Sequence, residues 1–265
     1  MATLAARNPV QFDVPADVRF AARTAILMAV TVVVGFFTQW AMGRSTFASP
    51  LRVHLHAFAF MGWVALFVTQ GQLALRGETA FHRKLGWIGT AWLALMLAAA
   101  INVIVAMTRN GTVPFFFTPQ QLLIADPMTL LAFVGLTFAA VAMRRRTDWH
   151  VRLHICAMSA IMAPAFGRML PMPLLVPYAF ETSVLFGMVF VVAGMIRDMR
   201  KYGTVHPAWL WGIGAVVVTV GLSDAITYSS VGNGIYRTVT AGYPGERIPG
   251  LEFPKPPPTP LITGR

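Results

Sequence analysis

The sequence predicts an all-α, polytopic transmembrane helix bundle, and three observations carry that prediction. Of 265 residues, 56% are hydrophobic and only 12% are charged, about half the charged share of a soluble domain. Mean hydropathy is +0.63. Uncharged stretches recur along the chain at roughly the 20-residue length a helix needs to cross a bilayer. Only helices or closed barrels satisfy their own backbone in lipid, and these stretches have helical length.

Taken in order, the stretches give seven spans, bounded as follows. Residues 1–23 form a cytoplasmic N-terminal segment with no small-residue cleavage site, so the first span, Thr24 to Gly43, is read as uncleaved. The second runs from Val53 to Leu75 and the third from Leu85 to Thr108. A loop over 110–122 follows, and its Phe115-Phe116-Phe117 cluster suits the lipid interface. The fourth span is Leu123 to Met143, with Asp126 and Pro127 near its start. The fifth, Trp149 to Leu170, and the sixth, Pro177 to Ile196, are separated by a proline-rich run from Arg168 to Pro177 that forces a break. That junction leaves six to eight spans compatible with the pattern. The seventh runs from Pro207 to Tyr228, closing a transmembrane domain over 24–228. The Pro/Gly-rich remainder, 229–265, is a tail that is either free or laid over the bundle.

Net charge is +11, but the basic residues punctuate the apolar segments rather than forming a patch, and no nucleic-acid recognition motif is present. Thirteen lie on the N-terminal side of the spans, from Arg7 to Lys201. Arg44, Arg52, Arg109 and Arg168 lie on the other side, and Arg237, Arg247, Lys255 and Arg265 in the tail. This asymmetry puts the N-terminus in the cytoplasm and the C-terminus outside. Cys156, the one cysteine, reads as a small buried hydrophobe.

Polar residues then fall into two layers. The outer layer holds His54, His56, Asn102, Asp126, Arg168, Glu181 and Asp224. Arg168 stands in a stretch with no other charged side chain from Leu153 to Phe180. An arginine at that depth either pairs with an acid, here Asp126 or Glu181, anchors a ligand or handles protons, or snorkels. His56, Trp63 and Gln70 are spaced by seven and share one helix face, which points into the bundle because Gln70 would be unsatisfied in lipid. His56, Gln70, Asp126, Arg168 and Glu181 are therefore grouped as a polar pocket. His54 shares a metal with His56 only if the helix begins after it.

The inner layer holds His82, His150, His154 and His206. His150 and His154 are four apart on one face, and His82 opens another span on the same side. These three form the candidate cofactor-binding set, for haem b or a transition metal; the competing reading is a solvated interfacial cluster beside Arg83, Lys84 and Arg152. His206 reads as a loop residue.

The run His82-Arg83-Lys84-Leu85-Gly86-Trp87, with His56, Gln70 and Gln72 upstream, carries a resemblance. So does Arg144-Arg-Arg-Thr-Asp-Trp-His150-x-Arg-Leu-His154 through Arg168 downstream. Together, over residues 53–170, they resemble a family of bacterial membrane proteins catalogued as DUF2306. Trp87 and His154 depart from its pattern. The resemblance implies the multi-pass topology, the bacterial inner membrane, and His56, His82, His150 and Arg168 as residues of interest. It implies no substrate.

Three functions follow: a redox protein holding haem or metal between facing helices, an accessory or assembly subunit of a larger membrane complex with the tail as its docking strand, and a small-solute or proton transporter. Metalloprotease and serine-hydrolase signatures are absent, and the seventh span has no lysine for a retinal Schiff base.

Overall fold

A computed structural model describes residues 13–256; the start of the N-terminal segment and the end of the tail, with Pro257 and Pro258, lie outside the described residues. Ten α-helices are present, and no strand occurs among the described residues. Among the described residues, six helical stretches are long and apolar enough to cross a membrane.

Helix α1 (Val14–Ala41) begins ten residues before the predicted span. The Asp13 carboxylate accepts the Ala16 N–H at 3.1 Å, a cap that starts the helix among polar residues. Helices α2 (Leu51–Leu75) and α3 (Thr79–Asn110) form a hairpin. Its turn needs Gly77 at φ 75°, a left-handed conformation that costs glycine little. Helix α4 (Pro119–Ala142) is capped by Thr118 and continues through Pro127.

The predicted fifth span is not one helix. Helix α5 (Thr147–Ala160) stops after fourteen residues and α6 (Ala163–Gly167) takes over. Pro164 has no N–H to offer the Ala160 carbonyl, so the ladder ends there. After a 3-10 turn at Met172–Leu175, α7 (Ala179–Gly187) and α8 (Val189–Tyr202) run almost as one. A Cβ on Gly187 would lie 2.7 Å from the Ser159 carbonyl, so only glycine lets this joint press on α5. Helix α9 (Pro207–Thr227) completes the long elements.

Helix α5 is the centre. Arg152, Leu153 and Ile155–Ala160 are all buried, and it packs on α1, α4, α8 and α9. The outer surface is apolar: Leu27, Val33 and Phe37 of α1, Phe58 of α2, and Trp211, Val217 and Leu222 of α9 are more than half exposed. So much exposed apolar surface belongs in lipid.

Contacts fix two ends. At the first meet the starts of α1, α5 and α9 and the end of α8, through Asp17, Arg152, Trp209 and Asp198. At the second meet the ends of α1 and α6, through Gln39 and Arg168, and the starts of α4 and α7, through Gln121 and Glu181.

Of the alternatives the sequence leaves for the tail, its described part lies over the second end. It forms α10 (Ser230–Thr240) and a 3-10 turn at Pro244–Arg247. Tyr236 Oη donates to the Ile248 carbonyl at 2.8 Å, and the Gln120 N–H to that of Gly250 at 2.9 Å. The Phe115–Phe117 cluster is half-buried, and Phe117 turns inward onto Phe180 at 6.1 Å.

Candidate functional site

The first end is clamped by an ion network. Arg152, 1% exposed, grips Asp198 with two bonds of 2.8 Å. Its Nη1 donates to Asp17 Oδ2 at 2.7 Å and to the Asp148 carbonyl at 2.9 Å. Arg197 Nη1 reaches Asp17 Oδ1 at 2.6 Å and Asp198 Oδ1 at 3.1 Å. Tyr202 Oη donates to Asp17, and Trp209 Nε1 to Asp198. Two guanidinium cations thus balance two carboxylates, with the remaining lone pairs filled, the condition under which a buried ion cluster is tolerated.

His206 is not a loop bystander. Its Nδ1 accepts the Ala208 N–H at 3.1 Å, capping α9, so the ring proton sits on Nε2 and faces Asp148 Oδ2 at 3.0 Å. Burial holds the imidazole below its ordinary range, and Asp148 only partly offsets this. At the rim, the Lys201 hydrogen bond holds the Asp13 carboxyl below the usual carboxylate range.

The other face of α5 carries a row of imidazoles. His150 and His154 stand edge to face at 4.6 Å, and His82 crosses from α3 to 6.1 Å from His150. His150 Nδ1 lies 2.8 Å from the Ala140 carbonyl, and His82 Nδ1 3.2 Å from that of Gln70. Carbonyls only accept, so both rings carry their proton on Nδ1 and turn an Nε2 lone pair elsewhere. Among the described residues no three His, Cys, Asp or Glu side chains converge as a metal site. Two cavities lie elsewhere, one between α2 and α3 at the second end and one beside Arg197 and Lys201.

The face of α2 bearing His56, Trp63 and Gln70 turns inward, and each side chain buries a polar atom without a protein partner: His56 Nδ1, Trp63 Nε1 and Gln70 Oε1. Gln70 does not join His56. Fourteen residues away on the helix, about 21 Å, its amide donates to the His82 carbonyl at 3.1 Å. The seam therefore runs from the imidazole row to the second end, where His56 stacks on Phe60 at 4.4 Å and lies within electrostatic reach of Arg168.

The ion pair expected for Arg168 does not form. The break after α5 folds its Nη1 onto the Pro164 carbonyl at 2.7 Å and its plane onto Phe36 at 4.0 Å. Glu181 instead accepts from Gln121 Nε2 at 2.7 Å. It groups with Asp224 and Tyr228. Asp126 has no ion-pair partner among the described residues. Helix α2 already includes His54, which bonds the Phe47 carbonyl at 3.2 Å, so it does not share an ion with His56.

Sequence reasoning missed the network, counting Arg152 and Arg197 only as cytoplasmic charges. The available signal was Asp17 and Asp198, two of only ten acidic residues, each set within a strongly basic flank. No family model, curated protein or solved structure matches this chain.

Proposed function

We propose that this is a seven-pass bacterial inner-membrane protein that moves protons along α2, with α5 and α6 as a broken fifth crossing. Its N-terminus lies in the cytoplasm, as the basic asymmetry of the flanks supports, and its likeness to DUF2306 belongs to the same reading. One observation carries the function: the seam of buried, unpartnered polar atoms on His56, Trp63 and Gln70, ending on the His82–His150–His154 row. Ionisable side chains at membrane depth mark ion and proton paths. Here His56 and the histidine row are the groups that carry the proton, and the Trp63 and Gln70 groups, which do not ionise, serve the path by hydrogen-bonding water between them. Imidazole is suited to relay because it gains and loses a proton near neutral pH.

The test is proton flux into vesicles loaded with a pH-sensitive dye. Flux well above that of empty vesicles, falling at least about tenfold in His150→Phe and in Gln70→Leu, is expected. Wild-type flux equal to that of empty vesicles overturns the reading.

A second reading, a single transition-metal ion, draws on the Nδ1 anchors of His82 and His150, the arrangement that presents Nε2 to a metal. It predicts metal that copurifies one to one and is lost in His82→Ala. The absence of such metal removes it.

A further inference from the structure

We propose that the cleft between α2 and α3 at the second end binds an anionic phospholipid, with its headgroup on Arg52 and Arg109 and one acyl chain along α3. The cleft has a volume of about 460 Å³ and is lined by Arg52 of α2, by one face of α3, and by Tyr243 of the tail. The α3 residues descend in helical register: Arg109 and Asn110, then Val105 and Ala106, then Ile101 and Asn102, then Ala98. That strip covers about three turns, some 18 Å, with alanines where larger side chains would close it.

Charge argues for the occupant. Arg52 and Arg109 make no salt bridge among the described residues, and no acidic residue lines the cleft. Arg109 is preset: its Nε donates to the Val239 carbonyl at 3.1 Å and its plane stacks on Tyr243 at 4.5 Å, leaving the Nη groups for an anion.

Asn102 supplies the second argument. It is exposed seven residues below Arg109, about 10 Å deeper, on an apolar strip that faces lipid. An amide there needs a polar partner. The ester carbonyls of a phospholipid lie on the chain side of its phosphate, below the headgroup, and supply such a partner. The ligand is thus an amphiphile with an anionic head, an ester belt and a chain. The inference needs the membrane embedding but not the proton path.

The full-length protein in a zwitterionic detergent is titrated with phosphatidylglycerol, phosphatidylcholine and inorganic phosphate, with bound lipid counted by native mass spectrometry. One phosphatidylglycerol binding at least about tenfold more tightly than phosphatidylcholine is expected. Arg52→Gln weakens it about tenfold, the usual effect of losing one charge-assisted bond. Arg109 also holds the tail, so the steric variant Ala106→Phe, which fills the strip and keeps both charges, is the decisive partner: it abolishes the lipid adduct. Inorganic phosphate competing as well as the lipid makes the cleft a small-anion site and overturns the proposal. So does phosphatidylglycerol binding unaltered by Ala106→Phe, or equal binding of both lipids.

Discussion

Replacing Arg152 with methionine removes the hub of the first-end network while keeping the volume of the side chain. Arg152 donates four hydrogen bonds, three of them to carboxylate oxygens. Bonds to charged groups contribute roughly 1.5–3 kcal/mol each, but the cost of desolvating the cation cancels much of that sum. Removing one partner of a buried pair costs about 3–5 kcal/mol. Neither aspartate is fully orphaned, because Asp17 keeps Arg197 and Tyr202 and Asp198 keeps Arg197 and Trp209. The lower end, about 3 kcal/mol, is therefore expected. Reversible unfolding in mixed micelles, followed by tryptophan fluorescence and far-ultraviolet circular dichroism, reads it directly. Adding Asp198→Asn removes the one negative charge left in excess, with Arg197 still paired to Asp17, and should recover at least half of the loss. A cost under about 1 kcal/mol for the single variant means that water reaches the network, and the clamp reading fails.

The remaining predictions use the same unfolding assay or simple labelling. The folded His206 has its pKa below the ordinary 6.5, so below that pH the unfolded chain binds more protons and stability falls as pH drops, by at most about 1.4 kcal/mol per pH unit. His206→Gln should make the slope in that window shallower, and Asp13 does not contribute there because its own shift starts from 3.8; an unchanged slope rejects the assignment. Gly194→Ala drives a methyl into the Trp209 ring, which Asp198 holds in place, and should cost about 1–3 kcal/mol. Tyr236→Phe, which loses the bond to the Ile248 carbonyl, should cost about 1 kcal/mol and speed proteolysis within 241–256. Cys156 is fully buried and should resist maleimide until the protein unfolds; rapid labelling of folded protein contradicts the packing of α5.

The apolar stretches made the helices legible, because lipid leaves the backbone so few alternatives. The heptad His56-Trp63-Gln70 likewise revealed which face of α2 turns inward. What escaped was partner choice. Arg168 looked like the ion-paired arginine because it is isolated in sequence, yet the break imposed by Pro164 turns it onto its own helix. Arg152 looked like one basic flank residue among many and became the buried one. Its partners lie 135 and 46 positions away in the chain. No local pattern encodes such pairings; they exist only once α1, α5 and α8 meet.

Helix α5 joins the two chemistries. Arg152 lies two residues from both His150 and His154, about 200° around the helix from each, so the ion network holds one face while the imidazoles occupy the other. The two faces are built to opposite rules. The network satisfies its carboxylates and guanidinium groups and stiffens the end it occupies, whereas the seam leaves buried polar atoms without protein partners. A proton path needs this combination, because polar groups held open for relay collapse onto one another unless something else fixes the backbone that carries them. Rotation of α5 by even a fraction of a turn would draw His150 off the Ala140 carbonyl and away from His82. Under the proposed proton path, the clamp would set the registry of the relay without touching it. On this account, an Arg152 variant that still folds must lose flux together with the His150 variant, although Arg152 lies on the opposite face of the helix.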